Sequence, residues 1–525
     1  MRIHPLLWFV VLMALTVSCR EKVANPDKEL TMEAYSSLRT ASFVMNSHAI
    51  RRQVRKLIEN DKDSMWVDFQ TKRYYQRKGS FLWIGRFGVD QRADTLVRYL
   101  RQVGEMGFRK DQFCVSAIET DLRHLRALDF NDSTYHVNRV LARLEYHLTK
   151  AYLRYATGQR FGYVNPKLVF NRLEVKDSDS THVSYRGLFD IPMDHPGKRF
   201  LQIAFQKVAH DSVAEFLQEV QPVSPMYHRL LSRLNNPNTP ASERPKILCN
   251  MERCRWRLHD YPQRHRKYVF VNIPSFHLYA VDEDSVLSMR IGCGTFETKT
   301  PLLTSEIKRM DINPQWIVPQ SIVEKSILRH AGNSSYFDRH RFFIRERSTG
   351  KKVEVWRASY QGLKNRDYLV IQEGGEGNAL GRIIFRFDNS FSVFLHDTSS
   401  RDVFQRTDRG VSHGCVRVEK PFDLAVFLLE KKDRETIGKI KYSMLADVSK
   451  VGEREPERPE GNETDEEEVD TLDRSRLIGT LKVEPKVPLF ITYYTIYPDQ
   501  EGRLREYDDV YGYDRVIYQY LRNYR

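Results

Sequence analysis

Residues 391–398 read Phe391-Ser-Val-Phe-Leu-His-Asp-Thr, and residues 410–418 read Gly410-Val-Ser-His-Gly-Cys-Val-Arg-Val. Phe391 to Leu395 is mostly apolar, so His396 is expected to emerge at the end of a strand. Cys415 follows after a polar loop rich in Arg, Asp and Ser. A thiol needs a base to become a good nucleophile, and an imidazole is the usual one. Gly414 directly before Cys415 allows a tight turn and close approach of backbone N–H groups to an oxyanion. His413, two residues before the thiol in an extended segment, is expected to face the same way as Cys415 and rivals His396 as the base. On the residues alone two readings stay open: a Cys–His acyl-transfer site, or a buried core thiol with structural histidines. A third set, His396, Asp397, His413 and Cys415, has the right types for zinc. No HExxH, CxxC or paired-histidine spacing surrounds it, so no metal and no cofactor is expected.

Around this stretch the texture is that of a sheet. Tyr268 to Ile273 alternates apolar and polar residues. Phe276–Val281 and Val286–Ile291 flank the turn residues 282–285, which reads as a hairpin. Arg382–Phe387 and Phe391–Leu395 give a second hairpin around Asp388-Asn-Ser. Pro421 opens an amphipathic helix, and Leu489–Tyr494 reads as a returning strand. Residues 51–260 instead carry helical spacing, as in Leu96, Tyr99, Leu100 and Val103, or Val140, Leu141, Leu144 and Leu148. The chain is thus expected to be α+β. A helical domain at 51–260 precedes a mostly β domain at 261–447 and 480–525. No internal repeat is visible.

The whole chain has 525 residues, 83 Lys+Arg against 69 Asp+Glu, and 41% hydrophobic residues. That composition supports a folded core and excludes a disordered or collagen-like chain. Six cysteines are too few for a disulfide scaffold. Residues 452–474 hold 11 acidic and 3 basic residues and read as a solvated, disordered insert. Without them the chain carries 80 basic and 58 acidic residues, a balance of +22, which points to an anionic partner.

Residues 1–19 read as an export signal. Leu6 to Val17 is apolar except for Thr16, too short for a membrane span, which needs about 20 residues. Leu15-Thr-Val-Ser-Cys19 is similar to a bacterial lipoprotein processing site, although the Leu stands one place early. The similarity implies acylation of Cys19, a polar tether at 20–50, a membrane contact only through that anchor, and a periplasmic protein on the outer membrane. Nucleic acid is then excluded as a partner by location.

Ser412-His-Gly-Cys-Val-Arg-Val418, with His396 upstream, resembles the signature of the YkuD-type L,D-transpeptidases. Val271-Asn-Ile-Pro-Ser-Phe-His-Leu-Tyr279, Lys299-Thr-Pro301, Asn313-Pro-Gln-Trp-Ile-Val-Pro319 and Asn378-Ala-Leu-Gly-Arg382 resemble further segments of that family. Ser80-Phe-Leu-Trp83, Gly107-Phe-Arg-Lys-Asp-Gln-Phe113, Arg160-Phe-Gly-Tyr-Val-Asn-Pro166, Asn250-Met-Glu-Arg-Cys-Arg-Trp256 and Tyr511-Gly-Tyr-Asp514 resemble the large periplasmic YcbB-like group with its helical scaffold domain. Two features depart from that group. Only about ten residues near 235–245 stand where many members carry a peptidoglycan-binding module, and the acidic insert is extra.

The resemblance implies that peptidoglycan stem peptides are donor and acceptor. Cys415 is then the nucleophile and His396 the base, oriented by a backbone carbonyl near Asp397. The N–H groups of His413, Gly414 and Cys415 are oxyanion donors, and the product is a 3→3 cross-link formed with release of D-Ala. It gives Arg417 to a stem carboxylate or to the loop carrying Cys415, against a plain surface arginine. Ser412 is assigned to the substrate or the loop backbone, and Trp316 to the donor pocket or to core. Residues of about 320–377 are implied to be a lid, against a decorative subdomain. Cys114, Cys249, Cys254 and Cys293 are read as structural thiols. The competing functions are L,D-carboxypeptidase action, attachment of a protein to the wall, and a non-catalytic wall-binding lipoprotein.

Overall fold

Apolar periodicity divides the chain into a helical unit and a sheet unit. The computed structural model describes residues 45–85, 88–131, 133–178, 183–446, 448 and 472–525. The expected signal peptide with Cys19, residues 20–44 of the tether and residues 452–471 of the acidic insert lie outside the described residues. The helical unit comprises the chain up to Val164, Asp194–Arg257 and Ile517–Arg525. The sheet unit comprises Asn165–Met193 and Leu258–Val516.

The helical unit contains α1 (Ser47–Asn60), α2 (Trp66–Gln76), α3 (Gln91–Arg101), α4 (Val115–Ala127), α5 (Val137–Phe161), α6 (Lys198–Ala209), α7 (Val213–Glu219), α8 (Pro225–Asn235) and α9 (Arg244–Arg255). The long α5 is buried almost all round, so its polar residues need partners inside the protein. Glu145 accepts from the backbone N–H of Leu82 (2.6 Å), Trp83 (3.0 Å) and Ile84 (3.1 Å) and from the Tyr75 hydroxyl (2.7 Å). Arg154 donates to the fully buried Asp68 at 2.7 Å. At the helix end Gly162 has φ +88°, and a Cβ there would lie 2.6 Å from the Glu252 carboxylate, so glycine is needed.

The sheet unit contains β1 (Phe189–Asp190), β2 (Lys267–Asn272), β3 (His277–Asp282), β4 (Ser285–Gly294), β5 (Leu302–Ile312), β6 (Trp316–Ile317), β7 (Phe342–Glu346), β8 (Lys352–Val353), β9 (Tyr368–Gln372), β10 (Ile383–Phe387), β11 (Leu395–His396), β12 (Gly410–Ser412), β13 (Val416–Val418) and β14 (Thr480–Thr492). Its main sheet runs β10-β11-β13-β4-β3-β2-β14-β5-β1, and β10 also pairs with β5, so the sheet closes on itself. Val269, Val271, Leu278, Ile291, Ile307 and Leu489 are fully buried in it. The first expected hairpin is present, with Asp282 opposite Ser285 and Glu283 at φ +53° in the turn. The second is shorter than expected: only Leu395 and His396 pair with β10. Asn389 takes residues 391–393 out of the strand by accepting from the N–H of Phe391 (3.0 Å) and Val393 (3.1 Å), a local alternative to ladder bonding.

The expected helical span 51–260 is corrected at 165–193. There Val175–Ser178 and Val183–Tyr185 form a ribbon, and β1 pairs parallel with Leu302–Leu303. Asn171 fixes this excursion by accepting from the N–H of Leu188 (2.7 Å) and Phe189 (2.8 Å). Conversely, the last residues belong to the helical unit. The Tyr524 ring packs on Tyr163 with centroids 4.6 Å apart.

Residues 316–372 carry their own four-stranded sheet, β6-β9-β7-β8. It has a separate apolar cluster that includes Phe337, Ile344, Leu363 and Val370.

Candidate active site

Strand order brings His396 and Cys415 together. β11 lies between β10, antiparallel, and β13, parallel, with His396 opposite Ile384 on one side and Arg417 on the other. The Val416 N–H donates to the Phe394 carbonyl at 3.0 Å. Cys415 therefore sits at the start of β13, beside the strand that ends in His396. The loop between them returns along β4, where Gly410 and Ser412 are opposite Cys293 and Gly294.

His396 is 4% exposed. Its Nδ1 is hydrogen-bonded to the Asp397 carbonyl oxygen, which leaves Nε2 as the nitrogen for proton transfer. Burial, reinforced by the Arg417 charge, brings the imidazole down to about 4, against the opposing pull of the Asp397 and Leu380 carbonyls. Asp397 is itself fixed. Its carboxylate accepts from the Arg382 N–H (2.8 Å) and the Arg401 guanidinium (2.9 Å), and its N–H donates to the Ile383 carbonyl (2.9 Å). Gly381, at φ +65°, makes room for that carboxylate: a Cβ there would lie 2.4 Å from the Asp397 Cγ.

Burial pushes the Cys415 thiol up to about 11, opposed by a backbone hydrogen bond at Phe394 and by Arg417. Cysteine and histidine therefore rest as neutral thiol and neutral imidazole. The turn carrying the thiol is held by Ser412, whose hydroxyl donates to the Cys415 carbonyl (2.6 Å) and accepts from the Gly414 N–H (3.1 Å). The Ser412 carbonyl in turn accepts from Thr298 Oγ1 (2.7 Å) and the Thr295 N–H (3.1 Å).

This geometry corrects two expectations. The Gly414 N–H is already occupied by Ser412 Oγ and is not a free oxyanion donor. Among the described residues the N–H groups of His413 and Cys415 have no protein acceptor. Gly414 has φ +120°, so the side-chain alternation of an extended segment does not run from 413 to 415. His413 is exposed while Cys415 is half-buried. Partial desolvation of the exposed ring, and then the charges of Lys325 from the 316–372 segment and of Arg417, lower the His413 pKa.

Arg417 is half-buried. Its Nε is buried without a hydrogen-bond partner, and among the described residues it has no ion pair. A guanidinium so placed is a donor awaiting an acceptor. Trp316 is paired through β6 with Gln372 and packs on the apolar cluster of the 316–372 segment, so its core role is the one the contacts show. Gly381 and Thr298 have positioning roles that the sequence reading did not assign; at Asp397 it expected the carbonyl that orients His396 but not the carboxylate held by Arg382 and Arg401. The cues to Gly381 were its place in the Asn378–Arg382 segment and directly before a strand.

All five described cysteines are free. Among the described residues no three His, Cys, Asp or Glu side chains are grouped to hold a metal ion, and no helix is long and apolar enough to cross a membrane.

A closed sheet, an appended helical unit and a His…Ser-His-Gly-Cys-x-Arg motif at adjoining strand ends define an α+β protein of the L,D-transpeptidase class. Residues 266–438 match the L,D-transpeptidase catalytic domain, YkuD, and residues 70–234 match a Scaffold domain. A Haemophilus influenzae protein named "Putative L,D-transpeptidase" is 27% identical over 325 residues, which cover 61% of this chain and 59% of that relative. The chain carries a YkuD L,D-transpeptidase catalytic domain and a scaffold domain, the YcbB-like architecture.

Proposed function

We propose that the protein is a peptidoglycan L,D-transpeptidase that forms 3→3 cross-links through a thioester on Cys415. The observation that carries this reading is the Cys415 turn. It joins a thiol beside the carbonyl-anchored His396 to two unpartnered backbone N–H groups and an unpaired guanidinium at Arg417. As Sγ adds to the carbonyl of the third stem residue, His396 takes the thiol proton. The His413 and Cys415 N–H groups receive the oxyanion, each donor of this kind being worth about 10²–10³ in rate. Collapse breaks the C–N bond, and the imidazolium gives its proton to the departing D-Ala amine. An amine of a second stem then adds to the thioester and loses its proton to His396. The C–S bond breaks, and the sulfur recovers that proton. Arg417 pairs with a stem carboxylate. The 316–372 segment, which brings Lys325 near His413, acts as the lid that keeps water from the thioester. Cys19 carries the lipid anchor, with the enzyme on the periplasmic face of the outer membrane.

The test is product analysis of wall material treated with wild type or Cys415→Ala. The proposal expects 3→3 dimers and free D-Ala from wild type alone. Tripeptides without dimers would mean hydrolysis, and identical digests from both proteins would mean a non-catalytic role. Covalent carbapenem adducts on Cys415, read by intact mass, check the thioester step separately.

A further inference from the structure

The helical unit carries a cleft of about 740 Å³ between α2 and α6, remote in sequence from every residue of the catalytic motif. Trp66, Gln70, Arg73, Tyr74 and Arg77 reach it from α2 and the residue that caps it. Their spacing of four, three, one and three residues places them on one helix face. Lys198, Leu201, Gln202 and Phe205 face them from α6 with the same helical period. Tyr74 and Phe205 stack at the floor, ring centroids 4.4 Å apart. Gly79 lets the Tyr74 ring lie there, since a Cβ at that position would fall 2.5 Å from it. Trp66 is 41% exposed at the mouth.

The charges are one-sided. Arg73, Arg77 and Lys198 are exposed, none has an ion pair among the described residues, and no carboxylate lines the cleft. An aromatic floor with a few convergent polar groups is the make-up of a ligand site of this volume. Flat rings accept the apolar C–H faces of pyranose sugars. Gln70 and Gln202 offer amide donors and acceptors to hydroxyl and acetamido groups. The guanidiniums match a carboxylate in forked geometry.

We propose that this cleft binds glycan strands of the wall that have lost their stem peptides, polymers of N-acetylated amino sugars in which each lactyl carboxyl, amide-bonded while a stem is attached, is a free carboxylate. The choice of polymer rests on the proposed function, while the chemistry of the cleft does not. The probe is glycan strands stripped of stem peptides by an amidase, because these lack the acyl donor and free a lactyl carboxylate on each repeat. Wild type and Cys415→Ala are expected to bind them equally. Trp66→Ala and the double variant Arg73→Glu/Arg77→Glu are expected to weaken binding about tenfold or more. Unfolding temperatures serve as the check on fold, and the exposed arginine pair serves if the tryptophan variant unfolds. Chitin oligosaccharides of equal length, which lack the carboxylate, are expected to bind more weakly than the stripped strands. No binding by wild type, or equal binding by both variants, overturns the proposal. So does self-association of wild type that Trp66→Ala abolishes, because the cleft would then be a contact between copies. Such a failure leaves the cross-linking reading standing, since 3→3 products are scored on intact wall material. Loss of those products leaves the binding result untouched.

Discussion

Ser412→Ala isolates the turn that presents Cys415. Ser412 is 5% exposed, and its hydroxyl joins two backbone groups, the Cys415 carbonyl at 2.6 Å and the Gly414 N–H at 3.1 Å. Deleting it removes both bonds and leaves a buried N–H without an acceptor, a loss of about 2–3 kcal/mol. That corresponds to a fall of several degrees in unfolding temperature. The kinetic effect is larger than stability alone gives. The released Gly414 N–H lets the turn relax, and the His413 and Cys415 N–H groups lose their alignment with the oxyanion. Misaligning one such donor predicts a drop of about 10²-fold in acylation. The assay is the pseudo-first-order rate of carbapenem adduct formation, followed by intact mass well below the unfolding temperature. Ser412→Thr keeps the hydroxyl and is expected to return the rate to within a few-fold of wild type. An alanine variant that acylates within about threefold of wild type would show that Oγ is dispensable to the turn, and the oxyanion assignment would lose its support.

The neutral resting pair sets the pH behaviour. Thiolate absorbance near 240 nm, taken against Cys415→Ala, should rise only toward pH 11, and acylation should fall as pH drops through about 4 because the imidazole is then protonated. A thiolate already present at pH 7 contradicts this. Gly381→Ala places a Cβ against the Asp397 carboxylate at a positive φ. It should destabilise the protein by more than about 1 kcal/mol and slow acylation at least tenfold through the displaced His396 acceptor; unchanged acylation would separate Asp397 from positioning. In the helical unit, Glu145→Ala strands the Leu82, Trp83 and Ile84 N–H groups. A loss of at least about 3 kcal/mol is expected in denaturant unfolding, with Glu145→Gln recovering part of it.

The sheet was legible wherever it depends on local pattern. Period-two alternation and a two-residue turn give the β3–β4 hairpin almost residue for residue. The helix opened by Pro421 follows from local chemistry in the same way. What escaped depends on contacts distant in sequence. No periodicity in 165–193 reveals that Asn171 ties that segment to β1 and so to Leu302 of the main sheet. Likewise the aromatic C-terminus looks like any helix end until Tyr524 meets Tyr163 and Phe108. At the site, residue types were legible and roles were not. Alternation predicts that His413 and Cys415 share a face, but one glycine at φ +120° cancels it. A serine before the thiol reads equally as a substrate contact or a backbone clamp until its two hydrogen bonds are seen.

The burial of Cys415 bears on the life of the proposed thioester. A sulfur whose thiol sits at about 11 rather than the ordinary 9.0 is a stronger nucleophile once deprotonated, by about tenfold at a Brønsted slope of 0.4–0.5. The same basicity makes it a poorer leaving group. The first property favours attack on the stem only while His396 is removing the proton, so the free enzyme keeps an unreactive thiol. The second lengthens the life of the thioester against water. An imidazolium with a pKa of about 4 is also a strong acid, suited to expelling the first amine and then returning to the neutral base that a second amine needs. Exposure of the sulfur would return the thiol toward 9.0, still protonated at neutral pH, and would shorten the life of the thioester. In the proposed reaction, burial at the head of β13 thus prolongs the thioester toward either acceptor, and the choice of an amine over water rests with the proposed lid.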